Sequence, residues 1–407
     1  MDTVPQVAGS PLKLNPDDVA GLRAALRGSV LFDGDAGYDT ARGIWNAMID
    51  RRPGMIVQAL GAADVIQVVN FARQHKAVLA VRGGGHNIAG NAVCDAGVML
   101  DLSRMRSVRV DPEARRARVE GGALLGDVDK ETQAFGLAVP VGINSTTGIA
   151  GLTLGGGFGW TSRKFGLTID NLVSADIVTA DGTLRRADAT HEPDLFWAIR
   201  GGGGNFGVAT SFEFQLHALG PQVIAGLVLY PLADAPKVIP EYRRLVAGAP
   251  DELTVWLVLR KAPPAPFVPV EWHDKEVVIV ALCHAGRLED GEALAAPFRS
   301  LGKPVADIVG PYPFVGWQAV FDPMVTPGAR NYWKSHDFRE LNDATCDVLL
   351  DAIKRLPTSE CDVFVAHLGA QVNRVPPPRC RVRGQRAYAL ARASPGHRLH
   401  RLGARPV

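Results

Sequence analysis

Cysteine is scarce in this chain. There are five among 407 residues, at positions 94, 283, 346, 361 and 380, and no two form a CxxC pair. An odd, scattered set excludes a disulfide framework and a structural zinc centre, and no metal site is expected. Apolar runs of membrane-spanning length are also lacking. The opening Met1-Asp2-Thr3-Val4-Pro5 has neither the basic start nor the apolar core of a signal peptide. The expectation is a cytoplasmic protein with no membrane partner. Net charge is nearly absent, at +2, which leaves no case for nucleic acid as a partner. What imbalance exists is local: residues 371–407 hold nine Arg, no Lys and no acidic residue, so the body of the chain is mildly acidic.

Glycine, by contrast, is plentiful, with 44 residues, many of them clustered. Val81-Arg82-Gly83-Gly84-Gly85-His86-Asn87 follows the apolar stretch 77–81, which reads as a strand. Glycines there free backbone N–H groups to close around a phosphate. A phosphate cradle needs no imidazole, so His86 requires its own explanation. A second cluster runs through Val141–Gly159, and a third is Gly202-Gly203-Gly204-Asn205-Phe206-Gly207. The third satisfies GxGxxG, but a helical stretch precedes it and a strand-like one follows. The dinucleotide fingerprint needs the reverse order, so a Rossmann site is rejected. No cluster fits GxxxxGK[ST]. Two readings stay open: tight turns in a sheet-rich fold, or one extended dinucleotide lying along several loops.

Periodicity supports the sheet-rich frame. Asn15-Pro16-Asp17-Asp18 is a helix cap. Strands are expected at 55–58, 97–101, 107–110, 115–120, 172–179 and 208–216, with helices at 62–74, 126–135 and 194–199. Beyond 217 the glycine thins. Strands are expected at 223–230, 253–259 and 277–281, and helices at 236–247 and 341–355. The division reads as a helical lead-in (1–50), a first domain (51–217), a second domain (218–375) and an Arg/Pro-rich tail (376–407).

The stretches VRGGGHNIAGNAV (81–93), DLSRMRSVRVD (101–111), GLAVPVGINSTTGIAGLTLGGGFGWTSRKFGLTIDNLVSADIVTADG (136–182), DLFWAIRGGGGNFGVATSFEF (194–214), NYWKSHDF (331–338) and FVAHLGAQVNRV (364–375) together resemble the FAD-linked oxidases of vanillyl-alcohol oxidase type. The branch is that of berberine bridge enzyme and 6-hydroxy-D-nicotine oxidase. The resemblance implies an α+β fold: a two-subdomain PCMH-type FAD-binding domain plus an α/β substrate domain with antiparallel sheet. It implies an FAD-dependent oxidoreductase that takes a hydride from a small organic alcohol, amine or related substrate to the flavin, with dioxygen as acceptor. A catalytically impaired FAD- or ligand-binding protein and a sugar or lactone oxidase are the alternatives. A monomer or homodimer is expected.

The resemblance also implies residues. The histidine matching His86 is bonded to the flavin 8α-methyl carbon; the plainer reading of His86 is a hydrogen bonder beside phosphate. Relatives with a second link place a cysteine where this chain has Asn144, so one link is expected. Arg82, Gly83, Gly84, Gly85, His86, Asn87, Asn144, Thr146, Thr147, Gly148, Gly151, Leu154, Gly157, Gly159, Asn205, Gly207 and Val208 form the expected FAD set. Tyr332, Lys334 and His336 form the expected substrate side, with Tyr332 first for proton handling. Alternation puts Tyr332 and Lys334 on one strand face and Trp333 on the other. The glutamate base of berberine-forming relatives has no match. The family continues past a segment like 364–375 and closes on an Asn-rich stretch, whereas this chain runs into its Arg-rich tail, read as a truncated or altered ending, with a basic contact tail as the alternative.

Overall fold

The computed structural model describes residues 14–338, 340–374 and 387–393. It divides into two compact units. The first comprises the chain up to Pro221 together with Phe314–Gly328; the second takes Gln222–Pro313 and the chain from Ala329. The boundary expected at 217/218 thus falls at 221/222. Phe314–Gly328, expected in the second domain, packs with the first.

The first unit opens with a helix, Pro16–Ala25, whose Asn15 side chain accepts from the Asp18 N–H in a capping box. Two sheets follow. In one, β1 (Ser29–Leu31), β2 (Met55–Gln58), β3 (Leu79–Arg82) and β4 (Val98–Asp101) lie in the order β1-β2-β4-β3. β2, β3 and β4 run parallel and β1 antiparallel. Parallel strands need covered faces. The helix Ala62–Gln74 supplies Val65, Val68, Val69 and Phe71 to a core with Met55, Val57, Val98 and Leu100.

The other sheet is antiparallel: β5 (Val108–Asp111), β6 (Arg116–Glu120), β8 (Leu172–Val178), β9 (Leu184–Asp188) and β10 (Val208–Gln215) in the order β5-β6-β10-β8-β9. The short β7 (Leu137–Ala138) pairs with β11 (His217–Ala218). Helix Pro193–Ile199 precedes the GxGxxG loop and strand β10 follows it, the order that excludes a Rossmann turn. Among the helices the sequence did not announce is Ile149–Leu154, inside the second glycine cluster.

The second unit is an eight-stranded sheet of β12 (Gln222–Pro231), β13 (Leu253–Lys261), β14 (Glu276–His284), β15 (Ala306–Asp307), β16 (Gly310–Pro313), β17 (Tyr332–Phe338), β18 (Asp362–His367) and β19 (Ala387–Ala393). Alternate residues Val278, Val280 and Leu282 of β14 join Val255, Leu257 and Leu259 of β13 in one core. Helices Ala235–Ala247, Leu288–Arg299 and Asp343–Ile353 cover it through Tyr242, Phe298 and Ile353. Each such aliphatic side chain contributes about 1.5–3 kcal/mol when fully buried. The strand Ala387–Ala393 falls in the Arg/Pro-rich tail, for which no strand was expected, and pairs with both β18 and β17. The reading of the remaining tail as truncated or altered lies outside the described residues.

Candidate functional site

The His86 loop leaves the carboxyl end of β3. Gly85 turns it at φ +73°, with Ile44 beneath, and the Trp45 N–H donates to the Gly85 carbonyl at 3.1 Å. The Trp45 indole stacks on the His86 imidazole, 5.0 Å between centroids at 23°. Burial pushes the His86 pKa down to about 4, against the opposing hydrogen bond with Thr146, so the ring is neutral at pH 7. Arg82 points elsewhere. It donates from Nη1 to the Ala41 carbonyl at 2.6 Å and lines a cleft of about 420 Å³ with Gln58, Asp101 and Ser103 at the strand ends. Asn87 caps its own turn, accepting from the Asn91 N–H.

The second loop meets the first at two places. The Asn144 Oδ1 accepts from the Thr146 N–H at 2.9 Å and the Thr146 hydroxyl at 2.6 Å. Thr146 Oγ1 lies 3.0 Å from His86 Nε2, and Thr147 Oγ1 lies 3.4 Å from Nδ1. Below them Gly84 and Gly148 touch backbone to backbone: a Cβ on either would strike the other's main chain. Leu125 N–H to Thr147 O and Ile149 N–H to Ala123 O, both 2.9 Å, tie the segment to its neighbours. Four residues outside the expected set also shape the site. Asp322 accepts from both the N–H and the hydroxyl of Ser145, and Trp45 donates from Nε1 to the Val325 carbonyl at 3.0 Å.

The third loop joins the second through Gly201 N–H to Leu154 O, 3.1 Å. Asn205 donates to the Gly202 carbonyl at 2.8 Å. Gly207 has φ +141°, and its Cβ would meet the Val178 carbonyl. Val208 is buried at the start of β10, opposite Val178.

The glycines therefore divide. Gly84, Gly148, Gly157, Gly159 and Gly207 are glycine because the chain itself fills the space a Cβ would take. Gly151 and Gly204 have no such reason. Gly151 lies in a helix, Gly204 has φ −81°, and nothing lies within 4 Å of a Cβ at either. Both are exposed, and the space over them is open to a ligand held close to the backbone. Three converging loops, bare backbone and a neutral imidazole fit FAD.

Tyr332, Lys334 and His336 belong to the other unit, on β17. All three side chains are exposed. Lys334 Nζ lies 5.5 Å from the centre of the Tyr332 ring, as the alternation requires. The expected FAD residues thus lie on the three loops of the first unit, with Arg82 and Asn87 engaged in contacts of their own, and the trio lies on β17 of the second unit.

Among the described residues no group of His, Cys, Asp and Glu could hold a metal ion, and no helix is long and apolar enough to cross a membrane.

Comparison with known proteins bears on the same residues. A family model for an FAD binding domain matches residues 53–188, the span that includes His86 and the second loop. An FAD-linked oxidoreductase of Dictyostelium discoideum is 34% identical over 332 residues, which is 81% of this chain and 70% of that protein. The (R)-6-hydroxynicotine oxidase of Paenarthrobacter nicotinovorans is 37% identical over 70% of this chain and 61% of its own length. Among solved structures, 6-hydroxy-D-nicotine oxidase from Arthrobacter nicotinovorans superposes with a TM-score of 0.79 at 29% identity, covering 91% of this chain and 82% of that one. A BBE-like protein of Physcomitrella patens shares the fold at a TM-score of 0.80 and 23% identity, covering 93% and 84%. The loops, the histidine and these likenesses lead to one conclusion: the chain belongs to the FAD-linked oxidoreductases with a PCMH-type FAD-binding domain, in the branch that holds 6-hydroxynicotine oxidase and the BBE-like proteins, and it is an FAD-dependent oxidoreductase.

Proposed function

We propose that the chain holds FAD through a single covalent bond to His86 and oxidises a small organic substrate, with dioxygen as electron acceptor. The observation that supports this reading is the meeting of the first two glycine loops at a partly buried, neutral imidazole, with the third loop joined to the second. When bound, the flavin accepts a hydride from the substrate and passes two electrons on to dioxygen, giving hydrogen peroxide.

The protein's part is binding, orientation and proton handling. Gly83, Gly85, Gly151 and Gly204 would present bare backbone to the pyrophosphate and ribityl chain. Trp45 packs one face of His86 and keeps it from water. Asn144, where doubly linked relatives have cysteine, makes no thioether, so the link is single. On the substrate side Tyr332 is the proton-handling group, with Lys334 and His336 as substrate contacts. The likeness to an (R)-6-hydroxynicotine oxidase makes 6-hydroxynicotine the first compound to try.

Three measurements test this. Acid-precipitated protein should retain its flavin in the pellet, and His86→Ala should release it; free flavin from the wild type would sink the linkage. Substrate should bleach the flavin without air, and air should restore the colour with one peroxide per turnover; a flavin that never bleaches would identify a binding protein instead. Tyr332→Phe should lower kcat about 10- to 100-fold, the range for loss of one acid–base group, with the flavin content unchanged.

A further inference from the structure

We infer that Asp129 is a positioning residue: with Gln318 it latches the returning segment Phe314–Gly328 onto the first unit, and the latch holds while the Asp129 carboxyl carries a proton. That role lies beyond the flavin reading, and its exchange test needs no covalent bond.

The segment returns for apolar reasons. Phe314, Trp317 and Phe321 are buried. Trp317 and Phe321 pack with Trp160, at 5.2 and 6.1 Å between ring centroids. Gln318 is buried beside Trp317, and its amide has one possible orientation. A carbonyl only accepts, so the atom 3.3 Å from the Gly142 carbonyl is the NH₂. The same NH₂ donates to Asp129 Oδ2 at 3.1 Å, and both its protons are then used. Two buried acceptors are left without a partner, Gln318 Oε1 and Asp129 Oδ1. An ionised Asp129 is therefore a buried charge with a single donor, which is costly. A proton on Oδ1 removes the charge and turns one bare acceptor into a donor.

Few other charges stand near. The helix Leu125–Gln133 carries Asp127, Lys130 and Glu131; Asp127 is paired with Arg106, and the other two are exposed. β5 packs on that helix and brings Arg109 and Asp111, both exposed. β7 and the helix Phe314–Gln318 also pack on it and bring no titratable group. The carboxyl responds only to burial, which raises its pKa, and to Gln318, which lowers it.

Loosening at Gln318 would reach the imidazole loop. Further along the same segment, Asp322 accepts from the Ser145 N–H and hydroxyl. The Val325 carbonyl accepts from Trp45 and Asn144, and the Gly328 N–H donates to the Trp45 carbonyl at 3.1 Å. Trp45 stacks on His86, and Asn144 holds the Thr146 hydroxyl beside it. A segment that lifts to let water reach Asp129 gives up these contacts in turn. Asp129 thus acts on the His86 loop without touching it.

Amide hydrogen exchange, corrected for the intrinsic effect of pH, reports how often the segment opens. The folded pKa of Asp129, pushed up to about 7, exceeds the unfolded value of about 3.9. The hold is therefore complete below about 3.9 and is lost as pH rises to about 7. Asp129→Asn stands for the protonated acid, and the ratio of wild-type opening to that of Asp129→Asn cancels His86 and every other titrating group. That ratio should rise at least about tenfold from pH 5 to pH 8, at 314–328 and 144–147 together. An equal ratio at both pH values would overturn the latch. A change confined to Leu125–Gln133 would show a carboxyl that stabilises only its own helix, and would overturn the positioning role. Glu131→Gln, an exposed change on the same helix, should behave as wild type; if it matched Asp129→Asn, the helix's overall charge would be the cause. In His86→Ala, where flavin is held without a bond, flavin release should quicken several-fold between the same pH values and stay level once Asp129→Asn is added. Release that ignored Asp129 would cut the latch off from the flavin loop.

Discussion

Gln318 donates from Nε2 to Asp129 Oδ2 at 3.1 Å, tying the returning segment Phe314–Gly328 to helix Leu125–Gln133 through a carboxyl that is buried to 1% exposure. Asp129 Oδ1 and Gln318 Oε1 are both buried without a partner, an arrangement that favours a neutral carboxylic acid. Burial pushes the Asp129 pKa up to about 7, against the lowering effect of Gln318. In the unfolded chain this carboxyl titrates at about 3.9. Between those values folding takes up a proton, so stability is lost as pH rises from about 4 to 7. Asp129→Asn removes this dependence and supplies an amide donor of the same shape. It should stabilise the protein at pH 8 by about 1–3 kcal/mol and make little difference at pH 4.5. Thermal melts at the two pH values check it; equal shifts at both would contradict the assignment.

Gly148 and Gly151 stand three residues apart, yet substitution at each should act in opposite ways. A methyl at Gly148 meets the backbone of Gly84. Gly148→Ala should destabilise the protein by about 1–3 kcal/mol, the range for overpacking, whether or not flavin is present. A methyl at Gly151 meets nothing, and alanine is preferred in a helix by up to about 1 kcal/mol. Gly151→Ala should therefore leave the flavin-free protein as stable or more so, while lowering flavin content. Melting temperature with flavin per chain separates the two. If Gly151→Ala bound flavin fully, the space over that helix would not be the cofactor's.

That contrast shows where the sequence was legible. Helical spacing located Ala62–Gln74 as it stands, because that helix buries one regular face, and a short apolar run located Met55–Gln58, which is buried on both faces. The His86 loop was legible because glycine and histidine are chemically distinctive there. A run of glycines does not tell whether the missing Cβ makes room for the chain, as at Gly84 and Gly159, or leaves open space, as at Gly151 and Gly204. Asp322 lies 177 residues from Ser145, and Trp45 sits in a stretch with no periodicity, so neither announced its place beside His86. In the strand Ala387–Ala393, alanine alternates with Tyr388, Leu390 and Arg392, a pattern with little to mark it as a strand. It pairs with two neighbouring strands.

On the proposed linkage, the depressed pKa of His86 sets a pH window for attachment. The ring titrates at about 4 in the folded protein, against about 6.5 for a free imidazole. Between these values the unfolded chain binds a proton that the folded chain refuses. Stability contributed by this group is thus complete above about 6.5 and is lost as pH falls toward 4. Attachment needs the neutral ring. For protein produced without riboflavin and then given FAD, the rate of acid-stable flavin formation should hold steady from pH 7.5 to about 5 and halve near pH 4. A midpoint near 6.5 would show an imidazole in contact with water.

Asp322 offers the last test, of how the segment Phe314–Gly328 supports the flavin loop. Its carboxylate takes two hydrogen bonds from Ser145, one from the backbone N–H at 2.9 Å and one from the hydroxyl. Three residues further on, the Val325 carbonyl accepts from Trp45 and from Asn144. One short segment therefore holds both what stacks on His86 and what hydrogen-bonds beside it. Asp322→Ala leaves the Ser145 N–H without its acceptor, at a cost of about 1–3 kcal/mol, toward the lower end because Asp322 is only partly buried. The loop Asn144–Thr147 should loosen, and the share of flavin that survives acid precipitation should fall several-fold. Asp322→Asn keeps one acceptor for the Ser145 N–H and should recover most of that share. If Asp322→Ala retained all its acid-stable flavin with an unchanged melting temperature, the returning segment would have no part in holding His86.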